Sequence, residues 1–405
     1  MAVGLSKPEN ILSVEGVQLA TVTAGIKDGQ KPDLVLVSLD PGTVCAGVFT
    51  RNAFCAAPVT VAKKHLARTR PQALLINSGN ANAGTGEQGL HDAEQCCALV
   101  AGALDCTPEQ VLPFSTGVIG EDLPMDRMAS AIRQLPDRLT ADAWTDAAHG
   151  IMTTDTVAKA CSRSLSIDGT EVTISGIAKG SGMIRPDMAT MLAFIATDAA
   201  VDREWLQHCL ESAVNVSFNC ITVDGDTSTN DACMLAATGA SGSPVLAGNC
   251  AHSDAFQEAL NDVFILLAQA IIRDGEGATK FVTVSIEHAK TVDEAKQVAY
   301  TVAQSPLVKT ALFASDPNWG RILAAVGRAG IEDFDIDRTA IYLDDVCIVS
   351  GGGRDPAYQE SMGQQVMSQQ EITIRVTLGR GEQQATVWTT DLSYDYVKIN
   401  AEYRT

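Results

Sequence analysis

The chain has 405 residues, long for a single core and suited to two or three domains of ordinary size. With 46% hydrophobic and 19% charged residues it is neither disordered nor fibrous nor of low complexity. A formal net charge of -20 without any Lys/Arg-rich run excludes an ordinary nucleic-acid-binding face.

In chain order, Val17 to Thr23 alternates and Leu34 to Leu39 is a buried-type run, so both read as strands. Leu74 to Ile76 is a third, leading into the Asn/Gly-rich NSGNANAGTG of residues 77–86. An alanine-rich helix is expected over His91 to Leu104, a short turn or helix at Thr107-Pro108, and a helix over Asp126 to Leu135. Asp202 is placed to cap a helix carrying Trp205, Leu206, Cys209, Leu210, Ala213 and Val214 on one side. A strand at Cys220 to Val223 precedes the polar loop DGDTSTND. Ser253 opens the longest helix, with Phe256, Leu260, Val263, Phe264, Leu267 and Ile271 on one face, ending near Gly275. Gln269 interrupts its apolar run and Arg273 and Asp274 bound it, so no membrane span is expected, and MAVGLSKPEN lacks the pattern of a signal peptide.

From Phe281 the pattern restarts, with a strand to Ile286, a helix behind the capping box Thr291-Val-Asp-Glu294, and a helix over Arg321 to Arg328. Strands are expected at Ala340 to Ile348, Ile372 to Leu378 and Ala385 to Thr389. The restart sets a domain boundary between residues 280 and 281. Eleven cysteines form no C-x-x-C pair and six histidines no H-x-x-x-H spacing, so the expectation is a reduced, cytoplasmic protein with mostly buried thiols and no metal. Gly351-Gly352-Gly353 lacks the GxGxxG context of a dinucleotide site, and no cofactor is implied.

The stretch GIAKGSGMIRPDMATMLAFIATDAA, residues 176–200, carries the most chemistry. Thr190 stands between a glycine-rich loop and the β-prone run Met191 to Ile195. One reading is a loop entering a core strand. The other is internal cleavage between Ala189 and Thr190, because an N-terminal threonine combines a hydroxyl nucleophile with an α-amine that titrates at about 7.7 to 8.0 and can take its proton. The acidity lies after that junction: 15 basic and 20 acidic residues through Ala189, 14 and 29 from Thr190 onward.

Other segments offer partners. Ser115-Thr116-Gly117 follows the apolar Val111 to Phe114 and is either a turn or a set of donors for a developing oxyanion, the glycine allowing close backbone approach. Lys179 is a substrate-carboxylate ligand, a cation that lowers the amine pKa of Thr190, or a solvated loop lysine; its surroundings lack P-loop spacing. Glu276, between two glycines, suits recognition of an ammonium group or simply ends a helix. Thr153 in MTTDT offers a hydroxyl or caps a turn. The terminus holds Asn400 and Thr405 among Tyr394, Tyr396 and Tyr403, aromatics uncommon in a frayed tail.

The 176–200 stretch resembles the signature of the ornithine acetyltransferase, or glutamate N-acetyltransferase, family of arginine biosynthesis. The resemblance continues through NSGNANAGTG, STGVIG (115–120), MTTDT (152–156), RDGEGATK (273–280), SDPNWGRI (315–322) and DLSYDYVKINAEYRT (391–405). It implies an α+β fold, with a layered αββα-type catalytic domain over 1–280, self-cleaved between 189 and 190, and a smaller C-terminal α/β domain over 281–405 whose tail returns to the active site. It implies a heterotetramer of two N-terminal and two C-terminal chains. Thr190 would be the nucleophile, Thr116 and Gly117 the oxyanion hole, and Thr153, Lys179, Thr190, Glu276, Asn400 and Thr405 the substrate contacts.

The implied reaction is ping-pong transfer of acetyl from N2-acetyl-L-ornithine to L-glutamate through an acetyl-threonine ester. Members differ in whether acetyl-CoA is also a donor, which adds the first step of the pathway to the fifth. The alternative is an N-terminal-nucleophile amidohydrolase or aminopeptidase, in which water takes the acyl group. Arg185-Pro186-Asp187 departs from the family pattern, where a neutral residue and asparagine are expected, and this bears on the rim electrostatics more than on the nucleophile.

Overall fold

The computed structural model describes residues 2–27, 29, 31–185, 191–248 and 250–402. The Ala189-Thr190 junction, Asp187 and the terminal Thr405 lie outside them. Up to residue 240 the strands are β1 (Val17–Val22), β2 (Leu34–Leu39), β3 (Val44–Phe49), β4 (Ala73–Asn80), β5 (Val111–Val118), β6 (Lys159–Ile167), β7 (Thr170–Lys179), β8 (Leu192–Thr197), β9 (Ile221–Thr222) and β10 (Ala232–Ala237). All but β9 build a four-stranded sheet in the order β1-β2-β4-β5 and a five-stranded sheet in the order β3-β10-β8-β7-β6.

The two-residue period of these strands dictates the layering, because successive side chains leave a strand on opposite faces. In the first sheet Val35, Val37, Leu39, Leu74 and Ile76 share one core with Leu192, Phe194, Ala196, Met234 and Ala236 of the second. Their alternates Leu34, Leu36, Ala73 and Leu75 pack instead with Val61, Ala93, Cys96, Cys97, Val100 and Met128 from the helices Ala57–Leu66, Gly86–Leu104 and Met125–Ile132. On the second sheet the alternates Ala193, Ile195, Cys233 and Leu235 pack under the helices Arg203–Val216 and Ser253–Arg273. Helices, sheet, sheet, helices is the αββα sandwich. Phe114 and Phe194 close the inter-sheet layer edge to face, with centroids 5.0 Å apart.

The helix Ser253–Arg273 is long and apolar enough to cross a membrane. Here Phe256, Leu260, Val263, Phe264, Leu267 and Ile271 are instead buried in the protein core.

A third sheet holds β11 (Phe281–Ala289), β12 (Ala340–Leu343), β13 (Val346–Ser350), β14 (Gly353–Arg354), β15 (Glu371–Thr377) and β16 (Gln383–Thr390), in the order β14-β13-β12-β15-β11-β16-β9. Its core, from Val282 to Val387, is packed by the helices Val292–Ala303, Pro306–Phe313, Trp319–Gly327 and Glu360–Met367. The short β9 adds an edge strand from the earlier chain to this sheet through parallel pairing with β16.

Several local expectations change in detail. The expected single strand from Ala340 to Ile348 is a hairpin, because Asp344 turns the chain with φ +48° between β12 and β13. β4 continues through Asn77 to Asn80, and the following helix begins at Gly86 instead of His91. The third helix stops at Ile132, with a short 3-10 turn at Pro136–Arg138. Asp202 caps its helix as expected, accepting from Glu204 N and Trp205 N. The capping box at Thr291 is half formed: Thr291 accepts from Glu294 N at 3.1 Å, while Glu294 Oε1 accepts from Lys290 N at 3.2 Å.

Candidate active site

Two sheet registers set the site. Lys179, the last residue of β7, faces Leu192, the first of β8, and Leu192 faces Ala232, the first of β10. One residue further out, Met191 is held by a hydrogen bond from Ala232 N to its carbonyl at 3.0 Å. The end of β5 on the opposing sheet brings Thr116 and Gly117 over this row. A cleft of about 740 Å³ opens there, and its lining includes Thr116, Gly117, Thr153, Lys179, Glu276 and Asn400. These six come from five separate segments. Ile184, ahead of the Ala189-Thr190 junction, and Met191, just after it, line it too.

Gly117 has a backbone reason to be glycine. Its φ is +134°, and a Cβ there would lie 2.3 to 2.6 Å from the backbone of Gly79 and Asn80 on β4. The β4–β5 register slips at this point, with Asn80 facing both Thr116 and Val118. Such a bulge re-aims the strand end. Asn230 clamps the same end from the second sheet, donating to Ser115 O at 2.9 Å and Ala81 O at 2.5 Å.

Lys179 sits at a strand end and not, as one sequence reading had it, in a solvated loop. Its Nζ donates to Thr116 Oγ1 at 2.9 Å, which leaves the hydroxyl hydrogen free to point elsewhere. A hydroxyl that accepts from an ammonium is the stronger donor for it. Burial lowers the Lys179 pKa, against the opposing pull of Asp155, Asp231 and Glu276.

Glu276 forms the other charged wall. Thr154 Oγ1 donates to its Oε1 and Asn400 Nδ2 to its Oε2, each at 2.7 Å. The carboxylate faces the cleft with room to accept a further donor such as a ligand ammonium. Asn400 lies on the helix Tyr394–Glu402, which the chain end brings back over the site. Gly277 admits that helix: its φ is +68°, and a Cβ would meet Tyr396 N at 2.5 Å and Ser393 Oγ at 2.6 Å. Tyr396 also donates to Asp224, whose carboxylate accepts from Met183 N and Ile184 N of the loop ahead of the junction.

Behind the cleft lies a buried charge cluster that sequence reasoning missed. Lys159 Nζ is 2.6 Å from Asp155 Oδ1 and 2.7 Å from Asp274 Oδ2, with all three side chains at most 1% exposed. Asp155 also accepts from Thr153 N and Gly180 N, and Asp274 from Thr156 N and Val157 N. Burial pushes the Asp155 carboxyl up, but Lys159, Lys179 and the Gly180 N–H outweigh it and hold it well below the usual carboxylate range. Thr153 therefore reaches the cleft from a loop pinned by this cluster. The i,i+4 spacing of Asp155 and Lys159 was the only local signal; Asp274 is far away in sequence. Asp231 and Asn230 were also missed, hidden in the polar DGDTSTND loop.

Among the described residues no His/Cys/Asp/Glu group could hold a metal ion. Burial pushes the thiols of Cys45, Cys96 and Cys209 up to about 12, so these cysteines are inert packing residues.

A lysine-polarised hydroxyl beside a glycine strand end, with an ammonium on one wall and a carboxylate on the other, is equipped to bind a small polar molecule. The ArgJ family model matches residues 18–405, and the chain belongs to that family. It is 57% identical over 97% of its length, and 96% of the relative's, to the arginine biosynthesis bifunctional protein ArgJ of Methylococcus capsulatus. It is 53% identical to the protein of the same name from Pseudomonas fluorescens, over 100% of both chains. Among solved structures, an ornithine acetyltransferase complexed with ornithine from Mycobacterium tuberculosis is 36% identical, with a TM-score of 0.39, covering 44% of this chain and 94% of its own.

Proposed function

We propose that this protein is a glutamate N-acetyltransferase of arginine biosynthesis, moving acetyl from N2-acetyl-L-ornithine to L-glutamate by a ping-pong route. Family membership over residues 18–405 and relatives named for arginine biosynthesis at 53% and 57% identity support the pathway. The observation that carries the chemistry is the single cleft lined by Thr116, Gly117, Lys179 and Glu276 from distant segments. Because those relatives are named bifunctional, acetyl-CoA as a second donor to glutamate belongs to the proposal.

In this reading the chain cleaves itself between Ala189 and Thr190, the Thr190 hydroxyl attacks the acetyl carbonyl, and its own α-amine takes the proton. Thr116 Oγ1–H and the Gly117 N–H meet the oxygen as it gains charge. Lys179, Thr153, Glu276, Asn400 and the terminal Thr405 hold the carboxylates and ammonium of the two substrates. The catalytic domain spans 1–280 and the second domain 281–405, with cleaved pairs assembling as a cytoplasmic heterotetramer. That both substrates are amino acids fits opposed charges on the two walls better than a hydrolase pocket does.

The test is to incubate the purified protein with N2-acetyl-L-ornithine, with and without L-glutamate, and to quantify ornithine, N-acetylglutamate and free acetate. N-acetylglutamate is expected to match ornithine, with little acetate. Acetate released at one rate regardless of glutamate establishes a hydrolase instead. Replacing acetylornithine with acetyl-CoA in the same assay decides the second activity.

Thr116→Val keeps the side-chain shape and removes the donor. We expect kcat to fall about 100- to 1,000-fold with KM nearly unchanged, the signature of a contact made in the transition state. A rise in KM alone in steady-state assays would assign Thr116 to substrate binding instead.

A further inference from the structure

Asp231 has no role in the mechanism above, yet it lines the same cleft. It is 3% exposed, and among the described residues its Oδ2 meets no hydrogen-bond donor. Buried carboxyls in folded proteins are almost always satisfied, so an orphan oxygen on a residue that lines a cleft marks a place for a ligand group. Its backbone is fixed on both sides: Thr50 N donates to Asp231 O at 2.9 Å, and the next residue, Ala232, donates to Met191 O. Ser228 engages the carboxyl, and the Lys179 ammonium faces it. Burial raises its pKa well above the usual carboxylate range against both of those pulls, which favours the protonated form.

The acetyl-transfer reading, on which this inference rests, has a proton to account for. The donor nitrogen enters as an amide and leaves as an ammonium; the acceptor nitrogen enters as an ammonium and leaves as an amide. The nucleophile's own amine carries only the hydroxyl proton back and forth. One further proton is consumed in the first half-reaction and released in the second.

We propose that Asp231 is the proton store for the transferred nitrogen, acting as a catalytic acid in the first half-reaction and a base in the second. When the donor C–N bond breaks and the acetyl ester forms, the nitrogen takes the hydroxyl proton through the nucleophile's amine and a second proton from the Asp231 carboxyl. Asp231 is left as a carboxylate beside the Lys179 ammonium, which stabilises it in a low-dielectric site. The acceptor ammonium then gives its proton to that carboxylate, and the freed lone pair attacks the ester. The ester C–O bond breaks, the hydroxyl regains its proton from the acceptor nitrogen by way of the nucleophile's amine, and the cycle closes with no net proton.

The experiment compares two acetyl donors on the cleaved enzyme carrying Asp231→Asn. With p-nitrophenyl acetate the leaving group departs as an anion and needs no proton; with N2-acetyl-L-ornithine it does. Acetyl-enzyme is followed by quenched-flow intact mass. Acetylation of the variant by the ester is expected at the wild-type rate, and acetylation by the amide at about 100-fold below it or slower. Asp231→Glu, which keeps an acid, should recover part of the amide rate. Equal loss with both donors, or an amide rate within about 3-fold of wild type, overturns the proposal, the first by showing a structural role. If the wild-type enzyme gains no acetyl mass from either donor, the ping-pong reading fails and this inference falls with it.

Discussion

Thr190→Ala is expected to leave the chain as one 405-residue piece and to abolish acetyl transfer. The wild-type protein should run as two pieces on denaturing electrophoresis, with intact masses that end at Ala189 and begin at Thr190. The same hydroxyl that attacks the Ala189 carbonyl to cut the chain becomes the acyl acceptor, and the cut itself creates the amine that serves as its base. Removing the hydroxyl removes nucleophile and base together, because the amine appears only after cleavage. The loss in kcat should therefore exceed about 1,000-fold, the scale of losing a whole nucleophilic unit and not one contact. Thr190→Ser keeps a hydroxyl and should still cleave, more slowly. An uncleaved wild-type protein that turns over acetylornithine would sink the mechanism while leaving the cleft and the family intact.

Lys159→Met should have the largest effect on stability. The substitution has nearly the same volume, but it strands the carboxylates of Asp155 and Asp274, both inaccessible to solvent, without their cation. Removing one partner from a buried pair costs about 3–5 kcal/mol, and here two acids lose the same partner. Chemical or thermal unfolding of the cleaved protein would measure the loss, and Asp155→Asn added to Lys159→Met should recover part of it, since one stranded charge is then neutral. A loss below about 1 kcal/mol would mean that the two acids take up protons or water at little cost. Activity should fall as well, because the cluster pins Thr153 N and Gly180 N beside the cleft.

The sign of the pH effect follows from the depressed Asp155 pKa. Its ionised form is favoured by folding, so its contribution to stability is present above the ordinary carboxylate range. It is lost as pH falls through about 4 and toward the lower folded value. Wild-type protein should therefore lose more stability than Lys159→Met on acidification.

Much of the architecture was legible in the chain itself, for a local reason. Leu34 to Leu39 and Met191 to Ile195 carry the continuous apolar runs of strands covered on both faces, and alternate residues of such strands must enter different cores. Asp202, Ser253 and the restart at Phe281 are signals written within a few residues, and β11 and the two helices begin where those signals stand. The strand from Ala340 was misread as continuous because Asp344-Asp345 is a weaker turn signal than one bearing glycine. Lys159 was invisible as a buried charge, since a lysine in an alternating strand reads as solvent-facing until Asp274 is known to sit behind it.

By itself the sequence determined where strands and helices form, which side of each is apolar, and which short strings carry hydroxyls, glycines and charges, because those properties depend on neighbours within a few positions. It also carried the family, through strings spread along nearly the whole chain. Only the tertiary structure decided that β5 of one sheet ends over the β7–β8–β10 row of the other, that Lys179 polarises Thr116, that Asn400 of the chain end bonds Glu276, and that Asp231, with one oxygen unpartnered among the described residues, lines the cleft. Each of these joins residues tens to hundreds of positions apart. Their proximity is set by how two sheets stack and where loops close, a property of the packed whole that no local pattern encodes.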